Sequence, residues 1–129
     1  IGFNYRMPAI NAALGLSQIE KIDKLVKEKK SLRENYSVNF KEIKGVSFFE
    51  GPSDCDPNFW LNSIVLNKEF VVYQDIIIEK LISKGFQCRP IWTLINKLSP
   101  YADNPSMNLD NAKTLQKSFI TIPSSSHLG

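Results

Sequence analysis

A helical repeat of apolar residues near the start of this 129-residue sequence restricts its possible folds more than any other feature. From Pro8 to about Lys44, apolar side chains recur at steps of three and four, which places them on one face of a helix. We expect that face to be buried. Because an unbroken helix of this length would be unusual, we expect a break after Glu28 and a stop at Gly45, where glycine most easily adopts the left-handed turn. The residues of the repeat are Ile10, Leu14, Ile22, Leu25, Leu32, Tyr36, Phe40 and Ile43.

The rest of the chain alternates short strands and helices. Runs rich in aromatic and β-branched residues predict the strands, and the second should lie in the middle of a small sheet. Two further helices are predicted, with Asn108 as the cap of the last one. The predicted strands are 46–50, 59–66, 86–89 and 119–122, and the predicted helices are 74–84 and 109–117. The fold class is α/β or α+β, with a long N-terminal helix packed on a small, mostly antiparallel sheet.

Composition and charge favour neither a nucleic-acid-binding nor a membrane protein. A hydrophobic share of 43% with 22% charged residues is that of an ordinary globular chain, and the net charge of +3 is a mild excess. The densest basic cluster, Lys27 to Lys30 with Arg33, is interleaved with glutamates and is interpreted as a solvated helix face. The apolar runs at 71–73 and 76–78 are too short to span a membrane.

The two cysteines, Cys55 and Cys88, lie far apart without a metal-binding spacing. The sequence therefore indicates neither a zinc site nor a disulfide framework. Reduced thiols and the lack of a signal peptide predict a cytoplasmic protein. The chain opens with Ile1 inside a motif, which suggests a piece of something longer.

The segment from Gly2 to Pro8 combines a glycine, an amide, a phenol and a guanidinium directly before the long helix. Pro8 suits a first helical turn because its backbone angle is preset and it has no amide proton to leave unpaired. Helix N-termini carry free amides and partial positive charge, so this segment favours an anionic ligand. The alternatives are a turn or capping role for Asn4 and a surface ion pair for Arg6.

This segment also carries a family resemblance. The run Gly-Phe-Asn-Tyr-Arg-Met, followed by Ala-Ala-Leu-Gly-Leu and Gln-Ile, resembles the hallmark segment of the pyridoxal-phosphate-dependent sugar aminotransferases, the DegT/DnrJ/EryC1/StrS family. The stretches 89–92, 98–101 and 119–128 resemble later parts of that family in the same order. The resemblance implies the C-terminal small domain of a fold-type-I transferase, truncated at both ends. Its parts would be an active-site loop at 1–7, a helical segment at 8–44, and sheet and helices at 45–129.

The resemblance also implies how such a chain would contribute to catalysis. The lysine that holds pyridoxal phosphate precedes the hallmark segment in the family, so it should lie upstream, and this chain alone should be inactive with no catalytic residue of its own. Asn4 is expected to bind the cofactor phosphate of the neighbouring subunit in a homodimer. Arg6 would add charge near that phosphate or near the carboxylate of the amino donor. The implied partners are a UDP- or dTDP-linked keto sugar and glutamate.

Three further residues are candidate substrate contacts. Arg89 and Trp92 stand near a predicted strand end, where they could meet a diphosphate and the face of a sugar or uracil. Alternatively, Arg89 pairs with a carboxylate and Trp92 caps the core. His127 resembles the family's segment near the sugar, although a lone histidine in a polar tail is more often exposed.

Two hypotheses for the function of the whole chain remain open, a sugar aminotransferase and a non-catalytic module. Among the aminotransferases, the sequence at 92–94 and 122–125 resembles the subgroup that aminates C4 of a UDP-linked 4-keto-6-deoxy-acetamido sugar. The sequence departs from that subgroup at Asn96, where a histidine is frequent. The rival is a non-catalytic module whose long amphipathic helix docks a partner protein. Upstream sequence with a lysine shortly before Gly2 would decide for the enzyme.

Overall fold

The structure is a computed structural model that describes Gly2 and residues 5–129. Within that part, four α-helices and a four-stranded sheet are joined by loops and short 3-10 helices, which confirms the α+β class. The helices are α1 (Ala9–Ile19), α2 (Ile22–Phe40), α3 (Gln74–Ser83) and α4 (Asp110–Ser118). The strands are β1 (Val46–Phe48), β2 (Asn62–Leu66), β3 (Arg89–Pro90) and β4 (Phe119–Ile122).

The helical repeat breaks earlier than predicted. The predicted break after Glu28 is wrong, because the chain leaves the helical path at Glu20 and Lys21, between α1 and α2. The amide of Lys21 bonds the carbonyl of Gln18, three residues back, at 3.1 Å. Tightening of this kind is common at helix ends because it satisfies carbonyls that have no partner in the helix.

The two helices of the repeat differ in burial. Helix α2 buries Leu32 and packs Tyr36 and Phe40 against the core, whereas α1 contains no buried residue. The prediction of one buried face therefore holds for α2 and is wrong for α1 within this chain. After α2 the chain turns at Gly45, whose φ of +84° is the left-handed conformation expected of it.

The sheet has the strand order β1-β2-β4-β3, and every neighbouring pair is antiparallel. Strand β2 lies in the middle, as predicted. Because Ile64 of β2 stands opposite Ile120 of β4, apolar side chains of both strands share one face. The predicted strand 59–66 begins only at Asn62, since Phe59 has a φ of +53° and cannot continue a strand.

The core lies between that face of the sheet and helices α2 and α3. Ile120 is fully buried, and Ile78 of α3 and Cys88 contribute to the same cluster. Strand β3, predicted over 86–89, forms only at Arg89–Pro90, because the amide of Cys88 bonds the carbonyl of Phe86 in a local turn. Arg89 and the residues directly before the edge strand β3 line a cavity.

Candidate substrate-binding site

A cavity of about 1090 Å³ lies beside the edge strand, between α2, the end of α3, β3 and the chain after β4. We call it the β3 cavity. It brings together two of the residues predicted to contact substrate, Arg89 and His127, with Lys29, Trp60 and Ser124. No aspartate or glutamate of the described chain is among its lining residues. A cavity with cationic groups and no carboxylates in its wall suits an anionic ligand.

Arg89 stands on β3 opposite Thr121 of β4, with its side chain exposed. Among the described residues it makes no ion pair and no side-chain hydrogen bond, so the alternative pairing with a carboxylate does not occur there. His127 lies on a short 3-10 helix at Ser126–Leu128 and is also exposed. Both side chains are therefore accessible to a ligand in the β3 cavity.

Trp92 follows β3 in a segment without regular secondary structure and is 67% exposed, so it does not cap the core. Its ring lies 5.9 Å, centroid to centroid, from the ring of Trp60, which is 63% exposed. Sequence reasoning missed Trp60, because the aromatic pair Phe59-Trp60 was interpreted as the start of a strand. The signal that could have identified it is that these two residues are the chain's only tryptophans.

Lys29 of α2 holds the backbone of this region in place. Its ammonium donates to the carbonyl oxygens of Trp60 (3.2 Å), Phe59 (3.5 Å) and Ser124. One turn later, Arg33 donates to the Glu50 carbonyl at 2.8 Å, and its guanidinium lies 5.6 Å from the Phe59 ring. Two members of the basic cluster predicted to be solvated thus face inwards, because they share a helix face with the apolar residues of α2.

Of the two residues predicted to hold the cofactor, the structure describes only Arg6. Arg6 is exposed and is not among the lining residues of the β3 cavity. Asn4 lies outside the described residues.

Tyr36 and Cys88 lie in the wall of the cavity, and both have perturbed acidities. Burial raises the pKa of the Cys88 thiol. Burial raises the pKa of the Tyr36 phenol, and the negative charge of a Cys88 thiolate raises it further. The Tyr36 hydroxyl donates to the Pro123 carbonyl at 3.0 Å, so at neutral pH it ties α2 to the chain after β4.

These raised pKa values predict a loss of stability in alkali. Above about pH 8.5 the unfolded chain releases the Cys88 proton while the native chain keeps it, so the free energy of unfolding falls as pH rises. Urea unfolding at pH values below and above 9 should show this fall. The free energy of unfolding should depend less steeply on pH in Cys88→Ala. Its pH dependence should be unchanged in Cys55→Ala, which replaces the exposed cysteine. Equal slopes in both variants would contradict the assignment.

Among residues 5–129 and Gly2, no group of three or more histidine, cysteine, aspartate or glutamate side chains is placed to hold a metal ion. No helix in that part of the chain combines the length and apolar character needed to cross a membrane.

The fold and the cavity define an α+β module with cationic and aromatic groups in the wall of one cavity. The sequence matches the DegT/DnrJ/EryC1/StrS aminotransferase family over residues 1–129, and the chain belongs to that family. It is 29% identical over 117 residues to the GDP-perosamine synthase of Vibrio cholerae, covering 87% of this chain and 31% of that protein.

Solved structures show the same fold. PseC of Helicobacter pylori, an aminotransferase of pseudoaminic acid biosynthesis, superposes with a TM-score of 0.90 at 23% identity, covering 100% of this chain and 35% of that one. The Escherichia coli GDP-4-keto-6-deoxy-D-mannose-3-dehydratase, solved with bound hydrated PLP, gives 0.78 at 21% identity, covering 97% and 33%. This chain therefore spans about a third of the length of these relatives.

Proposed function

We propose that this chain is the C-terminal small domain of a longer pyridoxal-phosphate-dependent aminotransferase. The enzyme transfers an amino group from glutamate to a nucleotide-linked 4-keto-6-deoxy sugar in surface polysaccharide or glycan biosynthesis, in the cytoplasm. The observation that carries the proposal is the β3 cavity, where the unpaired Arg89 stands with His127 and no carboxylate, in a chain of a sugar aminotransferase family.

Each predicted site residue has a role in this proposal. Arg89 binds the diphosphate of the nucleotide sugar, because a guanidinium can donate two parallel hydrogen bonds to phosphate oxygens. Trp92 contacts a flat ring of the substrate, and His127 contacts the sugar. A UDP- or dTDP-linked keto sugar is the proposed substrate.

The cofactor would be shared between two subunits. Pyridoxal phosphate supplies the electron sink that amino-group transfer requires. In our proposal the lysine that binds it lies upstream of this chain, and Asn4 and Arg6 donate to its phosphate in the neighbouring subunit of a homodimer. The exposed position of Arg6 in the single chain is compatible with a contact across such an interface.

The second candidate, a non-catalytic module that docks a partner through its N-terminal helix, is favoured by the exposure of α1. Ile10 and Ile19 are 77% and 69% exposed, and Leu14 is 64% exposed. In the enzyme proposal, the remainder of a longer polypeptide covers this face. The mass of the natural protein, measured with an antibody against this chain, separates the two. A band several-fold heavier than 14.7 kDa supports the enzyme, and a band at that mass supports the module.

The test of the enzyme proposal is a transamination assay on the natural-length protein with nucleotide-linked keto sugars and glutamate. Arg89→Gln should raise the KM for the nucleotide sugar about tenfold or more, because a charge-assisted contact to phosphate is lost. Its KM for glutamate should stay unchanged. Lys80→Gln removes the same charge from an exposed position on α3 and should leave both constants unchanged. No activity towards any nucleotide-linked keto sugar would refute the proposed function.

A further inference from the structure

We infer that Trp60 and Trp92 form an aromatic platform that stacks on the nucleobase of a nucleoside diphosphate, which makes Trp60 a specificity-determining residue. This inference rests on the proposed function for its substrate class. We call the two residues the indole pair. Their rings lie 5.9 Å apart at an interplanar angle of 38°, and both are more than 60% exposed.

Exposure of two tryptophans at one place needs an explanation. Large aromatic side chains are normally buried, and neighbouring exposed ones mark sites where a partner or ligand completes the burial. Every nucleobase has a π-face that stacks on an aromatic side chain. The indole pair therefore offers a surface that fits a flat heterocycle.

The backbone beneath the indole pair is fixed before any ligand arrives. The amide of Trp60 donates to the Asn58 side chain at 3.0 Å, and the carbonyl of Trp60 accepts from Lys29. The carbonyl of Trp92 accepts from the Gln116 side chain at 3.1 Å. Phe59 is held at a φ of +53°, a strained conformation for a non-glycine residue. Fixed backbones of this kind are typical of binding sites, since a preorganised site loses less entropy when the ligand binds.

The indole pair lies beside the cationic groups of the β3 cavity. Of the ligands with a flat ring, this position favours a nucleoside diphosphate. Trp60 lines the β3 cavity together with Arg89 and His127. Trp92 follows Arg89 by three residues, so their Cα atoms lie no more than about 11 Å apart. A base on the indole pair would thus place its diphosphate towards Arg89. A ligand with both a flat ring and a doubly anionic group uses both features.

The chain's own fluorescence tests the inference directly. Trp60 and Trp92 are the only tryptophans, so excitation beyond the tyrosine band reports on the indole pair alone. Titration of the 129-residue chain with UDP or dTDP should change this emission in a saturable way, whereas inorganic pyrophosphate should bind without changing it. Calorimetry should show UDP binding weakened about tenfold in Trp60→Leu, with pyrophosphate binding unchanged. Trp60→Phe should retain most of the UDP affinity because it keeps a flat ring.

The controls separate stacking from misfolding. Tyr73→Leu removes another exposed aromatic that does not line the β3 cavity, and it should leave UDP binding unchanged. Far-ultraviolet circular dichroism should show an intact fold in Trp60→Leu, since the side chain is exposed. Equal affinity for UDP in Trp60→Leu and the parent would overturn the inference, as would an emission change that requires the sugar moiety and not the base.

Failure of this inference can be distinguished from failure of the proposed function. If the natural-length protein aminates nucleotide-linked sugars but Trp60→Leu leaves its preference among nucleobases unchanged, the function stands and the stacking role of the indole pair is wrong. If UDP binds through the pair but no transamination is found, nucleobase recognition stands and the enzyme assignment is wrong.

Discussion

Replacing Ile120 by alanine is expected to lower the free energy of unfolding by about 3 kcal/mol. Ile120 is fully buried in β4, a central strand of the sheet, and stands opposite Ile64 of β2. The substitution removes apolar surface from the core and leaves a cavity that the surrounding strands cannot fill, so both terms act in the same direction. For a domain whose total stability is about 5–15 kcal/mol, this loss is large.

Urea unfolding followed by circular dichroism measures this loss. The matched control is Ile76→Ala, which makes the same chemical change at a residue of α3 that is 51% exposed, and it should cost less than about 1 kcal/mol. A change of similar size in both variants would mean that the core is not centred on β4. Refolded Ile120→Ala should keep its strand order, because its neighbours Ile64 and Ile122 still specify the register.

The parts of the fold that could be predicted from sequence are those that local patterns determine. Strand β4 occupies the predicted residues 119–122, and α3 ends one residue before its predicted limit. Asn108, predicted as the cap of α4, lies one residue before the cap position at Leu109, and its side chain accepts from the amide of Asp110 at 2.8 Å. Each of these features depends on residues only a few positions apart, which is the range over which propensity and capping act.

The parts that could not be predicted depend on contacts between distant residues. Lys29 was assigned to a solvated face, but its partners Trp60 and Ser124 lie 31 and 95 residues away. Phe59 belongs to a residue type that favours strands, yet it takes a left-handed conformation where the loop meets α2. Arg89 and His127 were predicted separately as substrate contacts, and the structure places them in one cavity with Trp60, which the sequence did not indicate.

Periodicity also could not predict that α1 is exposed in this chain. An apolar repeat shows that a helix face is suited to burial and does not show which surface covers it. Within this chain the repeat is buried only in α2, against the sheet. The apolar residues of α1 are exposed, and the proposed longer polypeptide would supply their partner.

Lys29→Met is expected to lower the free energy of unfolding by about 2 kcal/mol and to separate Trp60 from Trp92. Methionine keeps an unbranched apolar side chain in the same groove, but it leaves the carbonyls of Phe59, Trp60 and Ser124 without their charged donor. A hydrogen bond from a charged group contributes about 1.5–3 kcal/mol, and because Lys29 is only half-buried, water replaces part of what is lost.

The effect on the site should exceed the effect on the fold, because Lys29 bonds both loops that meet at the β3 cavity, at Trp60 and at Ser124. Once Phe59 is freed, its strained backbone can relax, and Trp60 would move away from Trp92. The exciton-coupled circular dichroism of two close indoles should therefore weaken in Lys29→Met, together with UDP affinity. Lys30→Met alters the neighbouring exposed lysine and should change neither. If Lys29→Met kept the indole signal and the UDP affinity of the parent chain, Trp60 would be held through the contact of its neighbour Phe59 with Arg33, and the role of Lys29 would be wrong.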